Sequence, residues 1–99
     1  MEAILRMFNP PHPGEVLRDY LEGISVTSAA ASLKITRTQL SRILNAHAAI
    51  TADMALRLST LLGTSAEMWL DMQSEYELWQ AAQRPRPVIE PLRRPHVHA

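Results

Sequence analysis

A run of polar side chains between Thr36 and Asn45 carries the residue types that proteins use to read DNA. Arginine can donate two hydrogen bonds to a guanine edge, and glutamine can pair with adenine. Threonine and asparagine bind phosphates or base edges. Arg37 and Gln39 flank an outer face whose members recur at helical spacing: Thr38, Ser41, Arg42 and Asn45. The chemistry that this pattern favours is recognition of the DNA major groove.

The same segment contains the signals that would hold such a helix in place. Thr36 stands where an N-cap belongs, and Gln39 follows three residues later, which predicts a capping box. Ile35 and Leu40 occupy the two positions of a hydrophobic staple. An inward apolar stripe follows: Leu40, Ile43 and Leu44. Two alternatives stay open here, because the capping box could occupy Gln39 entirely and an outer polar face can simply be solvated.

Composition limits the chain to one small domain and locates its positive charge. The chain has 99 residues, no cysteine and a formal net charge of zero. Residues 24–50 contain three basic residues and no acidic one, so an anion would bind there most readily. The lack of cysteine excludes disulfides and thiolate metal sites, and we expect a reducing cytoplasm. The first residues predict neither a signal peptide nor a membrane span.

Apolar periodicity predicts five helices and no strand, with the polar segment on the third helix. We expect an N-terminal arm over residues 1–11, a helical domain over 12–83 and a Pro/Arg-rich, disordered segment over 84–99. Pro13 fits a first helical turn, and the later helices are expected to begin at caps. These predicted caps are Thr27, Thr36, Thr51 and Ser65. The apolar residues that we expect to face inward include Tyr20 and Leu61.

Three stretches of the chain resemble the HigA-type antitoxins of the XRE/Cro-like helix-turn-helix superfamily. They are "HPGEVLRDYLEG", "LKITRTQLSRILN" and "ITADMALRLSTLLGTSAEMWLDMQSEYELW", and together they cover residues 12–79. The resemblance implies an all-α, lambda-repressor-like bundle of five helices that dimerises. It also implies an antitoxin that neutralises a HigB-like ribonuclease toxin and represses its own promoter.

The resemblance also assigns residues to DNA. Those that fall on the contacting positions of the superfamily's third helix are Thr36, Arg37, Thr38, Gln39, Arg42 and Asn45. Thr27 falls where a phosphate contact is common. Lys34 and Ala46 stand where the superfamily usually has glycine. A lysine in a left-handed conformation costs about 1 kcal/mol or more, so either the turn differs slightly here or Lys34 is kept for its charge near a phosphate.

Large side chains at helical spacing on the last helix are typical of a core or a dimer interface, and the width of this apolar face leads us to expect contact with a second copy of the chain. The expected dimer residues are Trp69, Met72, Tyr76 and Trp79. A twofold dimer would present its two third helices to successive major grooves, about 34 Å apart, on a palindromic operator.

No cofactor, metal ion or catalytic activity is expected. His96 and His98 are interpreted as solvated rather than as metal ligands, and His12 as a helix-start residue. With three glycines in all, the chain lacks the material for a phosphate-binding loop. Three rival hypotheses stay open: a stand-alone XRE-type regulator, a helical toxin-binding protein that never binds DNA, and a binding role for the Pro/Arg-rich segment.

Overall fold

The computed structural model describes residues 9–92, which form five α-helices and no strand. The helices are α1 Pro13–Tyr20, α2 Val26–Leu33, α3 Arg37–Leu44, α4 Ala52–Leu62 and α5 Ala66–Ala82. The predicted all-α, five-helix architecture is confirmed. None of these helices combines the length and the apolar character that crossing a membrane requires.

A side chain caps the start of every one of these helices. Thr36, Thr51 and Ser65 accept a hydrogen bond from the backbone N–H three residues later, as predicted. The cap predicted at Thr27 is wrong, because Ser25 takes that role and its Oγ accepts from Ser28 N at 3.0 Å. Helix α2 therefore begins two residues earlier than expected, and Thr27 lies inside its first turn.

Residues in the left-handed conformation end three of the helical segments. Gly63 closes α4 with φ +77°, and Lys34 closes α2 with φ 61°. Ala46, just after α3, has φ 63°. Of the two alternatives at Lys34, the turn therefore keeps the left-handed conformation, and Ala46 adopts it too, at the second position where the resemblance places a glycine.

The core is formed where α1, α3 and α5 meet the α2–α4 pair. Its fully buried members include Leu17, Leu40, Leu58 and Trp69. The indole Nε1 of Trp69 donates to Thr64 Oγ1 at 2.7 Å, which satisfies its polar group. The remaining buried apolar residues are Leu21, Ala29, Ala30, Leu33, Ile43, Leu44, Ile50, Met54 and Ala55.

Two residues expected inside are largely exposed. Tyr20 is the last residue of α1 and keeps 45% of its surface, although its ring contacts the edge of Trp69 at 5.5 Å. Leu61 keeps 39% of its surface, since the inward stripe of α4 passes through Leu58 and half-buried Leu62. Tyr20 and Leu61 both lie near the end of a helix. A residue there can lie on the apolar face of its helix and still extend beyond the residues that cover the rest of that face.

The start of α1 packs closely on the end of α3. A Cβ atom at Gly14 would overlap the carbonyl oxygen of Ile43, so no larger residue fits at this crossing. Beyond Ala82, the described residues form no regular element, and Val88 and Ile89 are strongly exposed. The expectations for residues 1–8 and for His96 and His98 lie outside the described residues.

Candidate nucleic-acid interface

Helices α2 and α3 form a helix-turn-helix, and a side chain of α4 binds the backbone of its turn. The N–H of Lys34 donates to Ala31 O at 3.1 Å, and that of Ile35 donates to Ala30 O at 3.0 Å. Arg57 of α4 donates through Nη1 to the carbonyls of Leu33, at 2.9 Å, and Lys34, at 3.1 Å. A carboxylate of the same helix, Asp53, pairs with Arg57 Nε at 2.9 Å.

This arrangement supports the strained turn without glycine. The carbonyls at the end of a helix lack partners within the helix, and a cation there also complements the helix dipole. Arg57 satisfies two of them at once and so ties the exit of α2 to the body of the domain. Sequence reasoning missed this role, because 23 residues or more separate the partners.

The capping box at the start of α3 is present in full. Thr36 Oγ1 accepts from Gln39 N at 3.0 Å, and Gln39 Oε1 accepts from Thr36 N at 2.8 Å. The capping box therefore uses the oxygen of the Gln39 side chain, and the amide NH2 of that side chain takes no part in it. The first backbone N–H groups of α3, with their partial positive charge, open toward solvent beside Arg37 and Thr38.

Arg37 and Thr38 extend from this first turn into solvent. Both side chains are exposed, and among the described residues neither forms a hydrogen bond or an ion pair with the rest of the chain. An arginine in this setting keeps all five donors of its guanidinium available. The first turn of α3 is thus anchored by its backbone while its outermost side chains are unengaged.

Arg42 lies one turn later and is partly engaged. It is exposed, and its Nη2 donates to the carbonyl of His47 at 2.9 Å. This bond joins the segment that follows α3 to the helix itself. Arg42 can therefore present its remaining donors in a fixed orientation.

Asn45 is bound to the protein itself. It is the C-cap of α3, and its Oδ1 accepts from Arg18 Nη2 at 2.6 Å while its Nδ2 donates to Ser41 Oγ at 3.3 Å. Arg18 also donates through Nε to Leu44 O at 3.1 Å, so α1 caps the end of α3. Ser41 is half-buried, as predicted. No local pattern reveals Arg18, which lies 26 residues before Leu44.

All of the predicted DNA-contacting side chains are exposed. They are Thr27, Lys34, Thr36, Arg37, Thr38, Gln39, Arg42 and Asn45. They differ in how many of their polar groups bind within the chain: Arg37 and Thr38 use none, and Gln39 and Arg42 use one each. Asn45 uses both its oxygen and its amide nitrogen. The described residues contain no cluster of side chains that could hold a metal ion.

The residues predicted for a dimer do not share one surface. Trp69 is wrong as an interface residue, because its side chain has no exposed surface and belongs to the core of its own chain. Met72, Tyr76 and Trp79 are half-buried. The ring of Tyr76 packs nearly perpendicular to that of His12, with ring centroids 4.8 Å apart. A dimer through α5 stays a prediction, with Trp69 removed from it.

Comparison with known proteins identifies relatives of this arrangement. The family model for helix-turn-helix proteins matches residues 17–69. Virulence-associated protein A' of Dichelobacter nodosus is 43% identical over 82 residues, which cover 80% of this chain and 71% of that protein.

Two solved structures from Pseudomonas aeruginosa are similar as well. PA4674 in complex with its 18-bp operator DNA matches with a TM-score of 0.77 and 39% identity, over 86% of this chain and 99% of that one. Antitoxin HigA with the higBA promoter matches with a TM-score of 0.72 and 40% identity, over 75% of this chain and 84% of that one.

Proposed function

The chain belongs to the helix-turn-helix family, and from that premise we propose that it is the antitoxin of a type II toxin–antitoxin module, which binds its own promoter as a repressor and neutralises a HigB-like ribonuclease toxin. The solved relatives support this proposal, because one is the antitoxin HigA with the higBA promoter and another is a complex with operator DNA. The proposed activity is binding, with no catalytic step, and a promoter-binding role implies a cytoplasmic protein.

The observation that carries the DNA-binding half is the state of the first turn of α3. Arg37 and Thr38 are exposed on a turn whose backbone is fixed by a complete capping box. Had these side chains been packed against the domain, a base-reading role would be untenable. A rigid helix start with uncommitted donors loses little conformational freedom on binding, which favours affinity.

In the proposed complex, α3 enters the major groove with its first turns leading. Arg37, Thr38 and the amide of Gln39 face base edges, with Arg42 behind them. Lys34 and the exposed N–H groups in the first turns of α2, near Thr27, bind phosphates. A homodimer repeats these contacts on the two halves of a palindrome.

The first experiment measures binding to the DNA upstream of the gene by mobility shift. Removing the Arg37 side chain should cost about 1–3 kcal/mol on that DNA if it pairs with a guanine. Arg84→Ala is the matched control, because it removes the same charge from an exposed position beyond α5. Equal losses for the two variants, or equal loss on random DNA, would contradict base reading by Arg37.

Salt dependence measures the number of phosphates in the complex. A dimer that neutralises about six phosphates should show a logarithmic salt slope near −5. The short positive segment of this chain supports a modest number of phosphate contacts, since residues 24–50 hold three basic residues. A slope near zero would contradict the proposed phosphate contacts.

The toxin-binding half needs its own experiment. Co-expression with the product of a small, basic neighbouring reading frame, followed by purification with the DNA digested, should recover both proteins together. Recovery without any DNA shift would favour the toxin-binding protein that never contacts DNA, and a shift without recovery would favour the stand-alone regulator. A chain truncated after Gln83 tests whether the Pro/Arg-rich segment is needed for either activity.

A further inference from the structure

The segment that follows α3, residues 45–50, is fastened to the domain at several points. The N–H of His47 donates to Arg42 O at 2.7 Å, and the Arg42 side chain returns the bond to His47 O. At its far end, Ile50 N donates to Gln73 Oε1 at 2.8 Å. Gln73 is buried on α5, where its Nε2 donates to Glu77 Oε2 at 2.9 Å.

His12 lies beneath the middle of this segment. It is 4% exposed, and its Nδ1 accepts the N–H of Gly14 at 2.9 Å, which caps α1. The edge of its ring meets Tyr76 of α5. The backbone of Ala48, in the middle of segment 45–50, lies close enough to the imidazole to raise its pKa. One side chain thus joins α1, α5 and the segment after α3.

These contacts require one protonation state of His12. A neutral imidazole has one acceptor nitrogen and one donor nitrogen, and here Nδ1 must be the acceptor because an N–H points at it. A second proton would set an Nδ1–H group against the Gly14 N–H. It would also place a positive charge at the positive end of α1.

The surrounding groups act on the pKa of His12 in both directions. Burial of the ring lowers it below 6.5, while Glu15 on α1 and Glu77 on α5 oppose that effect. The other groups near His12 are the phenol of Tyr76 and the backbone of Ala48. The imidazole of His47, in segment 45–50, is exposed. Because the folded-state pKa is below the unfolded value, the stabilisation is present above pH 6.5 and is lost as pH falls through the folded value.

We propose that neutral His12 is a positioning residue for DNA recognition: it holds segment 45–50, and through it the end of α3, in the geometry that binds the operator, and its protonation releases the DNA. This inference rests on the proposed function. Movement of the segment would shift the His47 carbonyl that orients Arg42. It would also free the end of α3 where Gly14 packs on Ile43.

The first test compares the pH dependence of operator affinity between a chain that keeps His12 and the same chain with His12→Asn. Asparagine still caps α1 but cannot titrate or reach Ala48 and Tyr76. Both proteins carry His47→Asn, so that the exposed imidazole of segment 45–50 adds nothing to the comparison. We expect the variant to bind several-fold more weakly at pH 7.5 and with little change toward pH 5.5. The chain that keeps His12 should lose the same several-fold between pH 7.5 and pH 5.5 and converge on the variant. A constant ratio between the two proteins would overturn the proposal.

The second test follows the imidazole of the wild-type chain by NMR and needs no substitution at His12. If the operator binds the neutral form, adding DNA must lower the His12 pKa, by about one unit for a tenfold coupling. An unchanged pKa in a bound complex would overturn the proposal. If the protein binds no operator at any pH, the proposed function fails instead. The positioning role is then judged on the free protein, where the amides of residues 46–50 should titrate with His12; amides that do not respond would overturn it.

Discussion

The two ends of α3 are held in opposite ways. At the start, Thr36 and Gln39 satisfy each other within four residues of sequence, and the outermost side chains extend unengaged into solvent. At the end, Arg18 from α1 binds the Leu44 carbonyl and the Asn45 side chain. Beyond it, Gln73 of α5 accepts a hydrogen bond from the backbone N–H of Ile50 in the next segment. The start of α3 is therefore held by residues of its own segment, whereas its end is held by side chains from other helices.

This difference separates the two tasks that a DNA-reading helix has to perform. The helix must be held in a fixed orientation, and at the end of α3 contacts from distant elements of the fold hold it. Reading requires donors that the protein does not use itself, and these lie at the start. Substitutions at the end should therefore change stability first and binding as a consequence. Substitutions of the unengaged Arg37 or Thr38 at the start should change binding while leaving stability within about 0.5 kcal/mol.

The largest effect is expected where α1 touches the end of α3. Gly14→Ala places a methyl group on the Ile43 carbonyl, and since that obstacle is backbone, the helices must separate. Overpacking of this kind should lower the free energy of unfolding by about 3 kcal/mol. For a domain of this size the melting temperature should fall by about 12–24 °C, which thermal unfolding by circular dichroism measures.

The control for this substitution is Gly23→Ala. Gly23 has φ +84°, and no atom lies within 4 Å of the position that a Cβ would take, so alanine meets backbone strain without a clash. It should cost about 1 kcal/mol. Similar losses for both variants would show that Gly14 and Ile43 can move apart at little cost, and the contrast between the two ends of α3 would weaken.

An intermediate effect is expected at Arg18. Arg18→Met keeps much of the aliphatic stem and removes the hydrogen bonds to the Leu44 carbonyl and to Asn45, of which the first is partly buried. The free energy of unfolding should fall by about 1 kcal/mol, measured by urea denaturation. In a double-mutant cycle with Asn45→Ala the two losses should be clearly less than additive. Additive losses would mean that Arg18 and Asn45 act independently, which would contradict a shared cap on α3.

Features whose partners lie close together in the sequence were predictable, and contacts between residues far apart in the sequence were not. The capping box of α3 was predictable because both partners lie within four residues, and the same holds for the caps at Thr51 and Ser65. Ser25 and Thr27 are both good cap residues two positions apart, and only the backbone geometry decides between them.

Tertiary contacts account for the remaining errors. Trp69 shares the large apolar side chains of α5 with Met72 and Tyr76, and the sequence does not tell whether such residues face the chain's own core or a partner. The roles of Arg18 and Gln73 depend on hydrogen bonds across 23 residues or more, for which no spacing rule exists. Asn45 also serves as the C-cap of α3, a role that the sequence did not indicate, and its predicted contact with DNA stays a prediction.

The smallest effects are expected at the two left-handed residues that flank α3. Lys34, at φ 61°, and Ala46, at φ 63°, both carry a strain that glycine would remove. Relief of about 1 kcal/mol or more is partly offset by the greater freedom of glycine in the unfolded chain, so each substitution should stabilise by about 0.5 kcal/mol. Both melting temperatures should therefore rise by about 2–4 °C.

Operator binding distinguishes the two glycine variants. Lys34→Gly should weaken it, because it removes a charge proposed to face a phosphate, and the logarithmic salt slope should become shallower by about one per binding site. Ala46→Gly removes no charge and serves as the matched control, with an unchanged slope. A lower melting temperature for Lys34→Gly would mean that the bonds from Arg57 to this turn depend on the lysine backbone being restricted. Equal slopes for the two variants would place Lys34 away from the DNA.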